Sequence, residues 1–328
     1  MRTLLISNEY LNVSTTKPSH TPQNRRINLS PVSFTKVTQP GHHQLKQAIL
    51  DSLNLIHYRL PTKTNNVVIK PNMCYYWDYS TGQTTDPKFV AALIDLIREQ
   101  TRPDVNISIV EADASAMKCK YAFKLLGYEK LAKDYNVNLV NLSEDKSQIV
   151  EATAGDQNFR LRVPRTIQEA DLRINVTKIK YSLANIKITC ALKNIFGCNP
   201  YPKKYKYHPR LDETIVALNK AMKFDLHLID GIIVSGIQPR KLGLIMASTD
   251  PVAIDTAAAR IAEENPNRIR YIQLAEKEGL GNTSFIPKGV PLDYFKKRYP
   301  RKTIQKKLMG KAYNLAIQMR FGKRLGLE

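Results

Sequence analysis

The sequence predicts an α/β protein with a mainly parallel or mixed sheet, flanking helices and a basic helical C-terminal tail. Short apolar runs alternate with amphipathic segments in both halves of the chain. The amphipathic segments carry helix-capping residues at their ends. The intervals between the apolar runs are long enough for crossover helices, which parallel strands require. These three observations define the fold class.

The first half of the chain begins this alternation with a short apolar run at residues 65–70 (NNVVIK). From Pro87, PKFVAALIDLIREQ has apolar residues at helical spacing, with Asp86 as the expected N-cap. Residues 106–112 (NISIVEA) then predict a second strand. The next expected elements are a helix at 117–126 that stops at Gly127, a second short helix, and a strand at 137–142.

The second half repeats the pattern. Its expected strands and helices are strands at 171–176 and 185–190, a helix at 211–222, strands at 226–234 and 242–248, and a helix that begins after Asp250. The motifs TTDP at 84–87 and STDP at 248–251 start two helices in the same way, which indicates shared capping chemistry rather than a repeat.

The length and composition are those of a globular protein of 328 residues. We expect an α/β domain over residues 1–284, with two lobes that divide near 150–170 as the alternative, and a basic extension over 285–328. Residues 14–31 are expected to form a loop. No apolar run approaches the roughly 18 residues of a transmembrane helix, and the N-terminal apolar run is too short for a secretory signal. A cytoplasmic protein is therefore expected.

The cysteines give no sign of a metal or iron–sulfur centre. The four cysteines, at 74, 119, 190 and 198, show no C-x-x-C spacing. Cys198 is a poor candidate nucleophile, because the sequence offers no clear acid to orient a histidine partner. Neither a dinucleotide-binding fingerprint, a phosphate-binding P-loop nor a G-x-S-x-G elbow is present.

The net charge of +21 favours an anionic partner. Residues 287–328 hold 12 basic and 2 acidic side chains, so this segment contributes +10. Binding of RNA or another polyanion is one hypothesis, helped by tyrosines and lysines that alternate at 201–207. An anionic membrane surface is another, through a helix at 303–318. A simply solvated lysine-rich surface is the third.

A lysine–asparagine pair marks the most distinctive loop, ALKNIFGCNPYPKKYKYHP, at residues 191–209. A strand at 185–190 would place Lys193 and Asn194 at its carboxyl end, where open α/β sheets bind ligands. Gly197 permits close backbone approach or positive φ, and His208 could titrate or bind a metal. The alternative is an ordinary solvated turn.

Two more lysines and several carboxylates complete the candidate set. Lys178 and Lys180 lie two residues apart at the end of a strand, where side chains on one face could line a basic pocket. Asp255 lies among apolar residues of a helix and is either paired with a lysine or poised to act. Glu111 and Asp113 follow another strand and could supply metal or hydroxyl contacts or cap the next helix.

The order of these motifs resembles the family catalogued as domain of unknown function 362. The similar segments are VVIKPNMC…TTDPKFVAALIDLI, VEADAS, INVTKIKYSLANIKITCALKNIFG…H and GLIMASTDPVAIDTAAARI, from about Val67 to Gly281, roughly two thirds of the chain. The resemblance implies an α/β domain. The family pattern falls on Lys70, Pro71, Asn72, Glu111, Asp113, Lys178, Lys180, Lys193, Asn194, Gly197, His208, Asp250 and Asp255.

This chain also departs from that family pattern. Many members carry a ferredoxin-type iron–sulfur segment, which implies redox partners for them, but the cysteines here predict no such cluster. Tyr181 and Ser182 stand where relatives commonly have Thr and His, and residues 235–239 replace a Glu-Gly-x-Gly-Pro motif. These changes predict altered chemistry or its loss.

The sequence hypothesis is a cleft at the strand ends that binds a small anion carrying phosphate or carboxylate. Asp255, as general base, and Lys193 are the candidate catalytic residues. The candidate ligand-binding residues are Lys70, Asn72, Asp113, Lys178, Lys180, Asn194, Gly197 and His208. No metal ligand is expected, the cofactor is left open, and so is the question whether the protein is an enzyme.

Overall fold

The computed structural model describes residues 29–181, 187–236 and 238–301. Its strands are β1 (Ser30–Lys36), β2 (Asn66–Pro71), β3 (Asn106–Glu111), β4 (Asn138–Asn141), β5 (Ser147–Ala154), β6 (Gln157–Pro164), β7 (Leu172–Thr177), β8 (Lys180–Tyr181), β9 (Ile188–Thr189), β10 (Leu226–Val234), β11 (Arg240–Ser248) and β12 (Phe285–Gly289).

Eight of these strands form one mixed sheet in the order β12-β1-β11-β10-β7-β2-β3-β4. The five adjacent strands β10, β7, β2, β3 and β4 are parallel to one another. β11 is antiparallel to both β10 and β1, and β12 is parallel to β1. The predicted α/β class with a mainly parallel or mixed sheet is confirmed. Two small antiparallel pairs, β5-β6 and β8-β9, lie outside the main sheet.

The α-helices are α1 (His42–Leu55), α2 (Pro87–Gln100), α3 (Cys119–Leu125), α4 (Tyr128–Tyr135), α5 (Arg165–Gln168), α6 (Ala191–Ile195), α7 (Leu211–Ala221), α8 (Pro251–Ile261), α9 (Arg270–Lys277) and α10 (Leu292–Lys296). Short 3-10 helices occur at Tyr79–Thr81, Phe196–Cys198, Lys204–Arg210 and Pro266–Arg268. The two predicted N-caps are present: Asp86 accepts from Lys88 N, and Asp250 accepts from Val252 N and Ala253 N.

Helices cover both faces of the sheet, because successive residues of a strand point to opposite sides. In β2, Val67 and Ile69 pack in a core formed with α1, α2 and α4, whereas Val68 packs in a second core formed with α7, α8 and α9. Strands buried on both faces explain the continuous apolar runs in the sequence. Within the ranges described, no helix combines the length and apolar character needed to span a bilayer.

The strand expected at 185–190 differs most from the structure. Among residues 187–190, the described part of that range, Ile188–Thr189 forms a strand, and it pairs with Lys180–Tyr181 outside the main sheet. Residues 182–186 lie outside the described residues. Consequently Lys193 and Asn194 lie on the short helix α6 rather than at a strand end.

The extension expected from residue 285 also begins differently. β12 pairs with β1 in the main sheet, and the side chains of Phe295 and Tyr299 are buried in the core. The α/β unit therefore continues through these residues. The helix expected at 303–318 lies outside the described residues. So does most of the loop expected at 14–31, whose last residues belong to β1.

Candidate functional site

The candidate site lies where the direction of the sheet connections reverses. From β2 the chain proceeds to β3 and β4 on one side, whereas β7 and then β10 are added on the other side of β2. The carboxyl ends of β2 and β7 therefore border a crevice, and in open α/β sheets such crevices bind ligands. The residues that follow these two strands include Asn72, Lys178 and Lys180.

Five lysines converge at this crevice and are called the lysine cluster below. Four are buried, with 1–8% of their surface exposed, and the fifth, Lys193, is partly exposed. Lysines are seldom buried unless they are paired, so the identity of each partner decides what the cluster can do. The members are Lys70, Lys178, Lys180, Lys193 and Lys204.

Two members of the cluster are neutralised by carboxylates. Lys70 Nζ lies 2.7 Å from Glu111 Oε2 and also donates to the carbonyl oxygen of Pro71 at 2.6 Å. Lys178 Nζ lies 3.1 Å from Asp230 Oδ2. Both pairs are almost fully buried, so these lysines are structural unless a ligand displaces their partners.

The other three lysines have no carboxylate partner among the described residues. Lys180 Nζ donates to Asn72 Oδ1 at 2.7 Å and to the carbonyl oxygen of Gln83 at 3.0 Å, and Lys204 Nζ donates to Gly197 O at 3.0 Å. Burial lowers the pKa of both amines.

Lys193 differs from all of them, because its Nζ has neither a carboxylate nor a hydrogen-bond acceptor within the described ranges. It lies 4.1 Å from the centroid of the Phe196 ring. Burial, reinforced by the positive charges of Lys204 and Lys180, lowers the pKa of Lys193 to about 7. The cluster thus contains more positive charge than its carboxylates balance.

Asparagine side chains hold α6 against the two strands. Asn72 Nδ2 donates to Asn194 Oδ1 at 2.9 Å, and Asn194 Nδ2 donates to Asn175 Oδ1 at 2.7 Å. Asn175 Nδ2 in turn donates to the carbonyl oxygen of Ala191 at 3.0 Å. Because the side-chain amides of all three asparagines are hydrogen-bonded, Asn72 and Asn194 have defined orientations at the crevice.

Gly197 lies close to the lysine cluster because it has no side chain. A Cβ at this position would lie 3.0 Å from Lys70 Cε and 3.1 Å from Glu111 Oε1. These atoms belong to a buried ion pair that has little freedom to move. Glycine is therefore required for close approach, as the sequence indicated, although its neighbours are protein atoms.

Asp255 lies beneath α6 rather than at the surface of the crevice. It is fully buried and accepts from Ala191 N at 2.6 Å, Leu192 N at 3.3 Å and the Tyr271 hydroxyl at 3.2 Å. Burial raises its pKa to about 7, against the opposing effect of these hydrogen bonds. This arrangement favours a positioning role, since Asp255 anchors the helix that carries Lys193.

Asp113 is engaged in local structure. It accepts from Lys118 Nζ and Cys119 N, both at 2.9 Å, at the start of α3. Burial acts to raise its pKa, but the contacts with Lys118 and Cys119 outweigh it, and the pKa is lowered. Among the two roles that the sequence left open, the helix-capping contact is the one present.

His208 is partly exposed and lies within electrostatic reach of Lys193. Burial and the charge of Lys193 lower its pKa to about 4, so the imidazole is neutral at pH 7. Its ring packs 4.9 Å from that of Tyr205, and its Nδ1 is buried without a partner in the described part of the chain. A neutral imidazole can accept a proton.

Two residues of the site were missed by sequence reasoning. Cys74 lies beside Lys180, and contact with the thiol opposes the lowering of that lysine's pKa by burial. Lys204 looked like one of several rim lysines in KKYKYHP, but the 3-10 helix at Lys204–Arg210 begins there and its side chain is buried. Nothing in the local pattern distinguishes Lys204 from its exposed neighbours Lys203 and Lys206.

A groove of about 830 Å³ lies elsewhere, between the end of α8 and β12, with Glu263, Phe285 and Leu292 among its lining residues. Three strands of the sheet, β1, β11 and β10, separate β12 from β7 and the lysine cluster. The charged residues of this groove have both signs: Arg260 and Lys296 are offset by Glu263, Glu264 and Asp293. Unbalanced charge therefore favours the crevice as the functional site.

Comparison with known proteins gives two sequence findings. The profile of the family described as "Domain of unknown function (DUF362)" matches residues 67–260. The chain is also 29% identical, over 234 residues, to the "Thylakoid-associated protein sll1697" of Synechocystis sp.. That alignment covers 67% of this chain and 70% of the relative.

Among solved structures, the chain is similar to the lactate racemase apoprotein from Thermoanaerobacterium thermosaccharolyticum. The TM-score is 0.47 and the sequence identity 13%. The match covers 73% of this chain, which spans 58% of the length of that protein.

Proposed function

Because the chain belongs to the family of domain of unknown function 362 (DUF362), whose name assigns no reaction, we propose a function from the site itself. The lysine cluster binds a small anion through a phosphate or carboxylate group. The segments that match the family contain all five lysines of the cluster. The single observation that carries the proposal is the imbalance of five lysines against the two carboxylates that contact them.

The imbalance supports anion binding because an unpaired ammonium in a desolvated place is costly. Such an amine either releases its proton or acquires a counter-ion. Lys180, Lys193 and Lys204 are in this position, and their pKa values are lowered. A phosphate or carboxylate near Lys193 and Lys180 would supply the missing charge, and Asn72 and Asn194 would orient it.

Isothermal titration calorimetry with inorganic phosphate, and separately with propionate, tests the proposal. We expect saturable binding that is accompanied by proton uptake, since a bound anion raises the pKa of Lys193 above about 7. Affinity should be highest below pH 7 and should fall as the pH rises, because the amine that attracts the anion loses its charge. Repeating the titration in buffers of different ionisation enthalpy measures the proton uptake directly.

Lys180→Met is expected to weaken binding by at least about tenfold, which corresponds to the loss of one charge-assisted contact. Lys130→Met is the matched control, since Lys130 is an exposed lysine paired with Asp134 on α4. It removes the same formal charge from the protein without touching the cluster. Equal affinity in the wild type and Lys180→Met would contradict the proposed site.

Polyanion binding through residues 287–328 is the second candidate, supported by the net charge of +21. The name of the Synechocystis relative likewise suggests an anionic membrane surface as a target for this chain. In the segment at 201–207, where tyrosines and lysines alternate, Lys206 Nζ lies over the rings of Tyr201 and Tyr207, so these side chains contact one another. Deletion of residues 302–328 should abolish salt-dependent binding to RNA or to anionic vesicles; unchanged binding would exclude this segment.

A further inference from the structure

Lys193 is distinguished from the rest of the lysine cluster by what surrounds its amine. The other four amines each donate to at least one oxygen: Lys70 and Lys178 contact carboxylates, whereas Lys180 and Lys204 contact amide or carbonyl oxygens. Lys193 Nζ has none of these within the described residues and faces the ring of Phe196. It is also the one residue of the cluster that keeps partial exposure, and we take this exposed side as the approach for a ligand.

We propose that Lys193 is a nucleophilic amine and that the anion taken by this site carries a carbonyl group, as a 2-oxo acid does. Lys193 condenses with this carbonyl to form an imine, while neighbouring lysines hold the carboxylate. The inference rests on the proposed function, because the anion site must first bind the ligand. It extends that function from anion binding to covalent catalysis with a defined class of substrate.

The condensation balances without a further reactant. The lone pair of the neutral Lys193 amine attacks the carbonyl carbon, a C–N bond forms, and the C=O π electrons move to oxygen. One proton then passes from the nitrogen to this oxygen to give a carbinolamine. The hydroxyl then leaves as water, taking up a proton, and the nitrogen loses its proton as the C=N bond forms. Ligand and lysine thus give imine and one water, and no electrons are exchanged with a redox partner.

The electrostatics of the crevice favour the reactive form of the amine. The positive charges of Lys204, Lys180 and Lys70 oppose protonation of Lys193, Cys74 acts in the opposite direction, and His208, a neutral ring, adds no charge. With a pKa of about 7, roughly half of Lys193 is neutral at pH 7. This fraction is on the order of 10³-fold larger than for a lysine at the usual value of 10.5.

The helix that carries Lys193 is held rigidly, as covalent catalysis requires. Asp255 receives the backbone N–H groups at the start of α6, and Asn219 Nδ2 donates to Leu192 O at 2.9 Å. Asn194, the next residue after Lys193, is bound to Asn72 and Asn175. These contacts fix the backbone on both sides of Lys193.

Reductive trapping with pyruvate tests the inference on the full-length protein. Pyruvate is added at pH 7 with sodium cyanoborohydride, and intact-mass and peptide mass spectrometry count and locate the adducts. We expect one reduced pyruvate per chain, on Lys193. At a pyruvate concentration that saturates the site at every pH, the amount trapped after a short incubation should rise through pH 7, where this amine loses its proton, rather than near the pH at which ordinary lysines do.

Lys193→Arg separates the inference from the function on which it rests. Arginine keeps the positive charge but cannot form an imine under these conditions, so the adduct should disappear, while binding of propionate to the wild type reports on the anion site separately. Lys130→Arg, at an exposed lysine of α4, should trap as much pyruvate as the wild type. Propionate, which has the carboxylate but no ketone, should compete with pyruvate and suppress trapping.

Two different failures would be distinguishable. Saturable binding of propionate without an adduct on Lys193 would overturn the imine and leave the anion site intact. Absence of saturable binding by phosphate and by propionate, together with scattered adducts on surface lysines, would overturn both. An adduct that persists in Lys193→Arg at the same yield would assign the reaction to another lysine.

Discussion

Glu111→Leu is expected to lower the free energy of unfolding by about 3–5 kcal/mol, the range for removing one partner of a buried ion pair. Lys70 is 1% exposed, and without Glu111 its ammonium would keep only the carbonyl oxygen of Pro71. Leucine is close in volume, so the loss reflects the uncompensated charge rather than a large cavity. Urea unfolding at pH 7, followed by circular dichroism, measures the change.

The double variant Lys70→Met/Glu111→Leu provides the control. It replaces the pair by apolar side chains of similar size, which often costs little or even stabilises a protein. We expect it to be more stable than Glu111→Leu alone, so that the double-mutant cycle yields a coupling of several kcal/mol. A double variant no more stable than Glu111→Leu would show that Lys70 is not held by its carboxylate.

The same pair bears on ligand binding. Glu111→Gln leaves a similar shape but removes the negative charge next to Lys70. If the lysine cluster binds an anion through its excess charge, this variant should bind phosphate more tightly even though it is less stable. Weaker binding would indicate instead that Glu111 shapes the site.

Asp255→Leu is the second substitution with a large expected effect, about 3–5 kcal/mol of lost stability. Ala191 N and Leu192 N would lose their acceptor in a fully buried place, and the Tyr271 hydroxyl would keep only the carbonyl oxygen of Ile188. Because these N–H groups begin the helix that carries Lys193, trapping of pyruvate by Lys193 should fall as well. Asp255→Asn keeps one acceptor oxygen and should cost about 1–2 kcal/mol.

The pH dependence of stability checks the state of this carboxyl. Its pKa is about 7 in the folded protein, above the ordinary value of 3.8, so the folded state holds a proton that the unfolded state has released between these values. The contribution of Asp255 to the free energy of unfolding therefore falls by on the order of 4 kcal/mol as the pH rises from about 4 to about 7, and it is level above that.

Asp255→Asn does not titrate at this position and removes that dependence. The stability of the wild type relative to Asp255→Asn should consequently decline over the same pH window. Parallel stability curves for the two proteins from pH 4 to pH 7 would show that Asp255 is ionised throughout. In that case its hydrogen bonds from Ala191 and Leu192 outweigh the burial.

The fold class was predictable because its signals are local. Helix α2 is indicated by the spacing of apolar residues within 14 positions and by its N-cap, Asp86, whose side chain accepts a hydrogen bond from Lys88 N two residues ahead. α8 is marked in the same way by Asp250. By contrast, β12 contains a Pro and a Lys among its five residues and shows no apolar alternation. It joins the sheet by pairing with β1, a contact between distant parts of the chain.

The candidate residues were predictable as a group, because most of them follow strands whose carboxyl ends meet at one edge of the sheet. Their individual roles were not. Lys70 bonds to Glu111 across 41 positions, and Lys180 bonds to Asn72 across 108. Asp255, expected as a base, anchors α6 from 64 positions away. Cys74 and Lys204 carry no local pattern that marks them as members of the site.

By itself, the sequence determined the α/β class, the helices with their caps, the family and the residues from which the candidate site is built. These depend on the period of apolar residues and on contacts between near neighbours, which a short window of sequence contains. Only the tertiary structure decided which lysines are neutralised and that Lys193 is left without a carboxylate among the described residues. The reason is physical: the charge state of a buried amine depends on burial and on carboxylates that folding brings from distant parts of the chain.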